Sequence, residues 1–260
     1  MEVGTAVTAP REFDVHNFEN EEARLVQQAL LPTGPLTSPT FEIAFRSQAI
    51  AEVGGDFLDY FYLADGRLGF YLADVVGKGL SAAMYATLAM GTIRAIHKSG
   101  QTPGAVLDLF NHRLLVRPVP RRYCAIQYAV LNPATLQMQC SNAGLPYPIH
   151  VSKQSCKPLN VGGIPSGIFN AIQYEQYTLQ LAPGDAVLFA TDGLHEAADL
   201  DSNEFGVERL IELCGGSCND SADALLDRVL EAAKAHSGGR QQDDVTAVVL
   251  KVLPAAASRL

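Results

Sequence analysis

Acidic turns recur at the ends of apolar, strand-like runs in this chain, and a fold that satisfies the pattern must bring several strand ends together. Residues 53–84, VGGDFLDYFYLADGRLGFYLADVVGKGLSAAM, carry Asp56 and Asp74, each beside a glycine-rich or turn-forming tract, on either side of the apolar run 68–73. That run reads as a buried strand, and a buried strand that delivers a carboxylate at its end can hold a hard cation. Two more acidic turns follow: Thr191-Asp192-Gly193 after the apolar residues 186–190, and Asp243-Asp244 before the apolar residues 245–252. The repetition predicts four strand ends meeting in one acidic site.

The remaining elements are read around these runs. Residues 1–18 carry little periodicity and are expected to form a mobile arm. The segment NEEARLVQQALLP predicts a linker helix over 19–31, with Asn20 as N-cap, Glu21 and Glu22 in the first turn and Pro32 as the stop. Leu25, Val26, Ala29 and Leu30 share one face of it, expected to pack on the domain; a homodimer joined through this helix is the competing reading. Alternation at 41–45 predicts a strand, and Ala64-Asp65-Gly66-Arg67 joins 57–63 to 68–73 as an antiparallel hairpin. Gly77-Lys78-Gly79 breaks the chain before helices over 80–97 and 104–116, the second started by Thr102-Pro103 and both rich in core-type Met and Leu. Further strands are expected at 123–131, 136–141, 147–151 and 174–181, another ends at Asp192, and a last one covers 245–252. Residues 206–214 and 221–236 read as amphipathic helices. Hairpin-linked strands with helices in pairs favour an α+β layered domain over a parallel α/β one. One domain is expected over 19–253, with 254–260 as a tail.

Composition narrows the function classes. A net charge of -9 argues against binding a nucleic-acid backbone, which draws its affinity from clustered Lys and Arg. The one basic cluster, 117–122, is interrupted by Pro118 and Pro120 and reads as a solvated loop. No apolar run approaches the roughly 20 residues that cross a bilayer, and the N-terminus lacks a basic start followed by an apolar stretch, so a cytoplasmic protein without a membrane partner is expected. Cysteines at 124, 140, 156, 214 and 218 have no repeated spacing, which suits reduced thiols better than a zinc site.

Six motifs in order, GGDFLDYF, DVVGKGLSAAM, SNAG, LAPGDAVLFATDGLHEA, FGVERL and DDVTAVVL, resemble the PPM-type metal-dependent serine/threonine protein phosphatases. More narrowly they are similar to the bacterial branch named for the sporulation phosphatase SpoIIE and the stress-response phosphatase RsbU, whose linker helix ARLVQQALLP also resembles; the likeness spans about residues 21–252. The resemblance implies an α/β/β/α sandwich of two antiparallel sheets flanked by helix pairs, with two Mn2+ or Mg2+ ions in a cleft at the sheet ends. It implies Asp56, Asp74, Asp192 and Asp243 as metal ligands, Asp74 bridging the ions and the Val75 carbonyl as a further ligand. Oxygen donors of this kind suit hard divalent ions. It also implies hydrolysis of phosphoserine or phosphothreonine by a metal-activated water, on a phosphorylated regulatory protein of the anti-sigma factor antagonist class. Branch members often carry a sensory domain before the linker helix; here control in trans is expected, by an activating partner on residues 19–31 or on the helix pair 80–116.

Several residues keep two readings. Asp56 and Asp74 in isolation could be turn caps. Asp243 and Asp244 compete for the site: the following strand alternates, so one should point inward, and the family pattern favours the first. Asp59 is an outer-sphere candidate or a surface residue, His195 a candidate acid or an incidental loop histidine, and Lys78 a phosphate attractor or a solvated turn residue. Many eukaryotic relatives place an arginine just before the first metal aspartate and a histidine two residues after the bridging one; residues 48–55 hold no arginine, and Val76 stands at the second place. GGDF is also similar to the GGDEF signature of diguanylate cyclases, but Phe57 and Leu58 replace its second acidic residue. No CxxxxxR loop is present. The competing functions are a catalytically silent partner-binding module of the same fold and a phosphatase of small-molecule esters.

Overall fold

Strands that are apolar at every position need a cover on each face, and here the two sheets supply one cover and pairs of helices the other. The computed structural model describes residues 15–254. In chain order its elements are α1 (Val15–Leu30), β1 (Leu36–Thr37), β2 (Phe41–Gln48), β3 (Phe57–Tyr62), β4 (Leu68–Val75), α2 (Leu80–Arg94), α3 (Pro103–Leu115), β5 (Cys124–Asn132), β6 (Gln137–Ala143), β7 (Ile149–Val151), β8 (Cys156–Pro158), β9 (Tyr177–Gln180), β10 (Ala186–Ala190), α4 (Asp192–His195), α5 (Gly206–Cys214), α6 (Ala222–His236) and β11 (Val245–Val252). A six-stranded sheet runs β1-β2-β11-β10-β7-β8 and a five-stranded sheet β3-β4-β5-β6-β9, all pairs antiparallel.

The layers follow from strand parity. On β4, Leu68, Phe70 and Leu72 face the other sheet, while Tyr71, Ala73 and Val75 pack with residues of α2 and α3. Val187 and Phe189 of β10 and Val248, Leu250 and Val252 of β11 close the inter-sheet core from the opposite side. Phe70 meets Phe189 edge-on with ring centroids 4.9 Å apart. Leu188, Ala190, Ala247 and Val249 point outward and are covered by α5 and α6. The expected α+β sandwich of two antiparallel sheets flanked by helix pairs is the observed architecture. Thr102 caps α3 as expected, accepting the Ala105 amide at 3.4 Å, with Pro103 as the first helical residue.

Some local expectations are overturned. α1 begins at Val15, so Asn20 lies inside the helix rather than at its N-cap and residues 15–18 are helical rather than part of an arm; the rest of that arm, 1–14, and most of the expected tail lie outside the described residues. Leu25 and Val26 are exposed, at 53% and 62%, so the apolar face does not decide how α1 packs. Polar groups do: Gln27 hydrogen-bonds the Gly54 backbone and Arg94 binds the Leu30 carbonyl, leaving Leu30 as the apolar contact with the α2/α3 core. On α2, Leu80, Met84 and Leu88 are exposed while Met90 and Ile93 enter the core. β11 is buried after its first residue because both of its faces are covered, so alternating burial does not occur there. β8 and the short α4 had no periodic signal.

Candidate metal centre

The parity that builds the inter-sheet core also delivers carboxylates to one end of it. Asp74 has the parity of Phe70 and Leu72, Asp56 that of Leu58, Thr191 that of Phe189, and Asp244 that of Thr246 and Val248. Each strand leaves the core at the same end, so these side chains emerge together. Asp56 accepts a hydrogen bond from Thr191 Oγ1 at 2.9 Å, Thr191 Oγ1 in turn accepts the Thr246 amide at 3.0 Å, and Asp74 is the neighbouring carboxylate. Asp192 opens α4. Asp243 Oδ2 pairs with Lys78 Nζ at 2.9 Å.

Three glycines let these strand ends approach. A methyl group at Gly55 would lie 2.7 Å from the Val75 carbonyl oxygen and 3.4 Å from Asp74 Oδ1. One at Gly193 would lie 2.0 Å from the Asp244 carbonyl oxygen and 3.3 Å from the Asp243 Cβ, and one at Gly54 would strike the Asp244 carboxylate. Asp244 itself is buried and fully engaged: its oxygens accept the Ile50 amide at 2.8 Å and the Gly55 amide at 2.6 Å. The inward member of the acidic pair is thus Asp244, and it holds the glycine loop. Asp243, on the other parity, faces Lys78 and Asp192. The expectation that the first of the pair points inward is overturned, because Asp244 takes the buried place and Asp243 the open one.

The charges in this cluster oppose one another. Burial first, then the Asp74 charge, pushes Asp56 well above the ordinary carboxyl range, with the neighbouring Thr246 and Thr191 acting against the rise. Burial and the Asp192 charge push Asp74 up to about 7. Asp192 is also raised, by burial and by Asp243, with the Gly193 amide and Lys78 acting against the rise. Among the described residues Lys78 is the one side-chain cation paired with any of these carboxylates. Asp56 Oδ1 is buried with no hydrogen-bond partner, an arrangement that costs free energy unless a cation completes it. The donor set, carboxylates and carbonyls without a thiolate, fits a hard divalent ion. Among the described residues no three acidic, histidine or cysteine side chains converge closely enough to hold an ion alone. An ion there would complete its shell with water and a backbone oxygen such as that of Val75.

Comparison with known proteins decides the lineage: residues 64–253 match the family model described as Stage II sporulation protein E (SpoIIE). The chain belongs to this family. It is 25% identical over 242 residues to the phosphoserine phosphatase RsbU of Bacillus subtilis, an alignment covering 90% of this chain and 70% of RsbU. It spans less than half the length of two further curated relatives. The SiaA-PP2C domain of Pseudomonas aeruginosa superposes with a TM-score of 0.81 at 20% identity, over 91% of this chain and 97% of that one. RsbX, solved in complex with magnesium, superposes at 0.63 and 14% identity, covering 84% and 98%.

Other candidates fall outside this SpoIIE-family cluster or change role. Asp59 pairs with Arg94 at 2.7 Å and receives the Tyr71 hydroxyl at 3.4 Å, so it ties β3 to α2 instead of supporting the acidic end. Burial lowers the pKa of His195 from its ordinary value. Lys78 is more than a solvated turn residue, since it bonds both Asp243 and the Gln242 carbonyl. Arg122, within the cluster read as a solvated loop, binds the Val76 carbonyl and donates to Ser81 Oγ at 2.7 Å, fixing the Gly77–Gly79 turn. Thr191 and Thr246 are the supporting residues that motif reading did not single out; counting strand parity back from the core would have found both.

Proposed function

We propose that this chain is a metal-dependent protein phosphatase that hydrolyses phosphoserine or phosphothreonine on a regulatory protein of the anti-sigma factor antagonist class. The observation that carries the reading is that Asp56, Asp74, Asp192 and Asp243 lie at one end of the sandwich, near enough that neighbouring carboxylates raise the pKa values of the first three, with Lys78 paired to Asp243. Asp56, Asp74, Asp192 and Asp243 would hold two Mn2+ or Mg2+ ions. The Val75 carbonyl, packed against Gly55, would be the further ligand. The magnesium in RsbX and the phosphoserine activity in the name of RsbU support the choice of ion and substrate.

Bound there, the ions supply a nucleophilic water at neutral pH and offset charge on the phosphoryl oxygens. The protein supplies orientation. Thr191, itself held by the Thr246 backbone, fixes the Asp56 carboxylate, Asp244 fixes the Gly54-Gly55 turn that approaches Val75, and Lys78 brings positive charge to the mouth of the site for an incoming phosphoryl group. No thiol competes as nucleophile: Cys124 is buried beside Asp56 and Asp74, and both burial and those charges raise its pKa.

Control by an activating partner acting on α1 belongs to the same reading. Gln27 clamps Gly54 from both sides, donating to its carbonyl at 2.7 Å and accepting its amide at 3.1 Å, two residues before Asp56. A partner or a second copy of the chain that shifts α1 would therefore move the turn carrying Asp56.

The deciding experiment is hydrolysis of para-nitrophenyl phosphate and of a phosphoserine protein, with manganese, magnesium or chelator, comparing wild type with Asp74→Asn and Asp192→Asn. Metal-dependent activity on the phosphoprotein, lost in both variants, is expected. Activity on the aryl ester alone would point to small-molecule esters, and a folded but inactive wild type to a partner-binding module. Deleting residues 1–31 tests the role of α1, which fails if neither activity nor oligomeric state changes.

A further inference from the structure

Far from the acidic end of the sandwich, two cysteines are brought together from positions 156 and 214. Cys156 begins β8, the three-residue edge strand of the six-stranded sheet, and Cys214 ends α5. β8 packs against α5, and half-buried Cys156 lies on the core cluster that contains Cys214. The two side chains are neighbours in this packing, and both thiols are reduced.

We propose that Cys156 and Cys214 form a site for a reversible intramolecular disulfide, closed by an oxidant of the peroxide class and reopened by a thiol reductant. The asymmetry of the pair sets the order of events. The neighbouring Cys214 lowers the pKa of Cys156, while Cys156 and then burial raise that of Cys214. Cys156 is also the more exposed of the two, so it is the sulfur that a peroxide meets as a thiolate. Its attack on the peroxide breaks the O–O bond and gives a sulfenic acid and one water once the released hydroxide is protonated. The Cys214 sulfur then displaces the sulfenic hydroxyl, which leaves as a second water with the Cys214 proton. Two thiols and one peroxide become one disulfide and two waters.

The fold can absorb the closure. Bonded sulfurs sit about 2.05 Å apart, closer than a thiol contact, so one or both backbones must give slightly. β8 is held on one side only, by β7, and α5 is followed at once by Gly215 and Gly216, the latter at φ 80°. Compliance lies on both sides of the bond. A closed bridge would staple the free sheet edge to the helix layer and constrain a long loop of unfolded chain, which raises the Tm by on the order of 5–10 °C.

The test uses the full chain, stripped of reductant and treated with hydrogen peroxide before free thiols are blocked. Peptide mapping is expected to show a Cys156–Cys214 cross-link, absent after dithiothreitol, with the Tm raised in the oxidised form. In Cys214→Ser the resolving thiol is gone, and Cys156 is expected to be trapped by dimedone as the sulfenic acid. Cys214→Ala provides the same measurement should serine in a buried position unfold the chain. The proposal is overturned if both thiols remain free while other cysteines react, if Cys156 joins Cys218 or a second molecule instead, or if Cys156 passes to sulfinic acid with Cys214 untouched.

Discussion

Removing divalent ions from this protein is expected to make it more stable in mild acid than at neutral pH, the reverse of the usual behaviour of aspartates. In the ion-free fold Asp56, Asp74 and Asp192 all have raised pKa values, with burial the leading cause for each and a neighbouring carboxylate the next. The folded state therefore binds protons more tightly than the unfolded chain, and stability falls as pH rises through the folded values. Moving Asp74 from its ordinary 3.8 to about 7 corresponds to about 4 kcal/mol, an upper bound because the side chain is partly exposed. That contribution is complete below the unfolded value and is gone above about pH 8; roughly 3 kcal/mol of it is lost between about pH 5 and pH 8. Asp56 and Asp192 add in the same direction. Urea unfolding in chelator at a series of pH values reads this slope, and saturating manganese should remove it by stabilising the ionised carboxylates. Asp74→Asn should flatten the chelated profile. A chelated wild type equally stable at both ends of the range, or a slope untouched by Asp74→Asn, would refute the electrostatic account of the site.

Further perturbations separate neighbouring residues by role. Asp244→Ala leaves the Ile50 and Gly55 amides without acceptors and should cost about 2–3 kcal/mol in urea unfolding at saturating metal, whereas Asp243→Asn loses a half-exposed pair with Lys78 worth less than about 1 kcal/mol. Asp243→Asn should nevertheless lower metal-dependent hydrolysis by about 100-fold or more, and equal stability losses in the two variants would contradict this division. Gly193→Ala places a methyl group 2.0 Å from a backbone oxygen that cannot rotate away, so a loss of about 3 kcal/mol together with activity is expected from denaturation and rate measurements. Arg94→Ala frees both Asp59 and the Leu30 carbonyl; hydrogen exchange along α1 should accelerate while the amides of β10 and β11 keep their protection.

Most of the secondary structure was legible because it rests on local rules. The β3–β4 hairpin follows from a four-residue turn between apolar runs, α3 from Thr102-Pro103, and the two-sided burial of β4 and β10 from apolar residues at every position. α1 was misplaced at its start and on its packing face, because that face is chosen by long-range polar contacts from Gln27 and Arg94 instead of by the helix's own apolar stripe. β8 is three residues long and gains its pairing only from β7, so nothing in its own composition marks it.

For the acidic site, the sequence by itself determined which residues carry charge at strand ends: Asp56, Asp74, Asp192 and the Asp243-Asp244 pair all stand beside apolar runs. Tertiary structure decided what each of them does. The pairing of β11 with β2 and β10 sets which aspartate faces inward, and the close approach at Gly54, Gly55 and Gly193 gives Asp244 to backbone amides while leaving Asp243 to Lys78. Charge is a property of a residue and travels with the sequence. Its free energy depends on burial and on the distance to other charges, and those exist only once both sheets have closed.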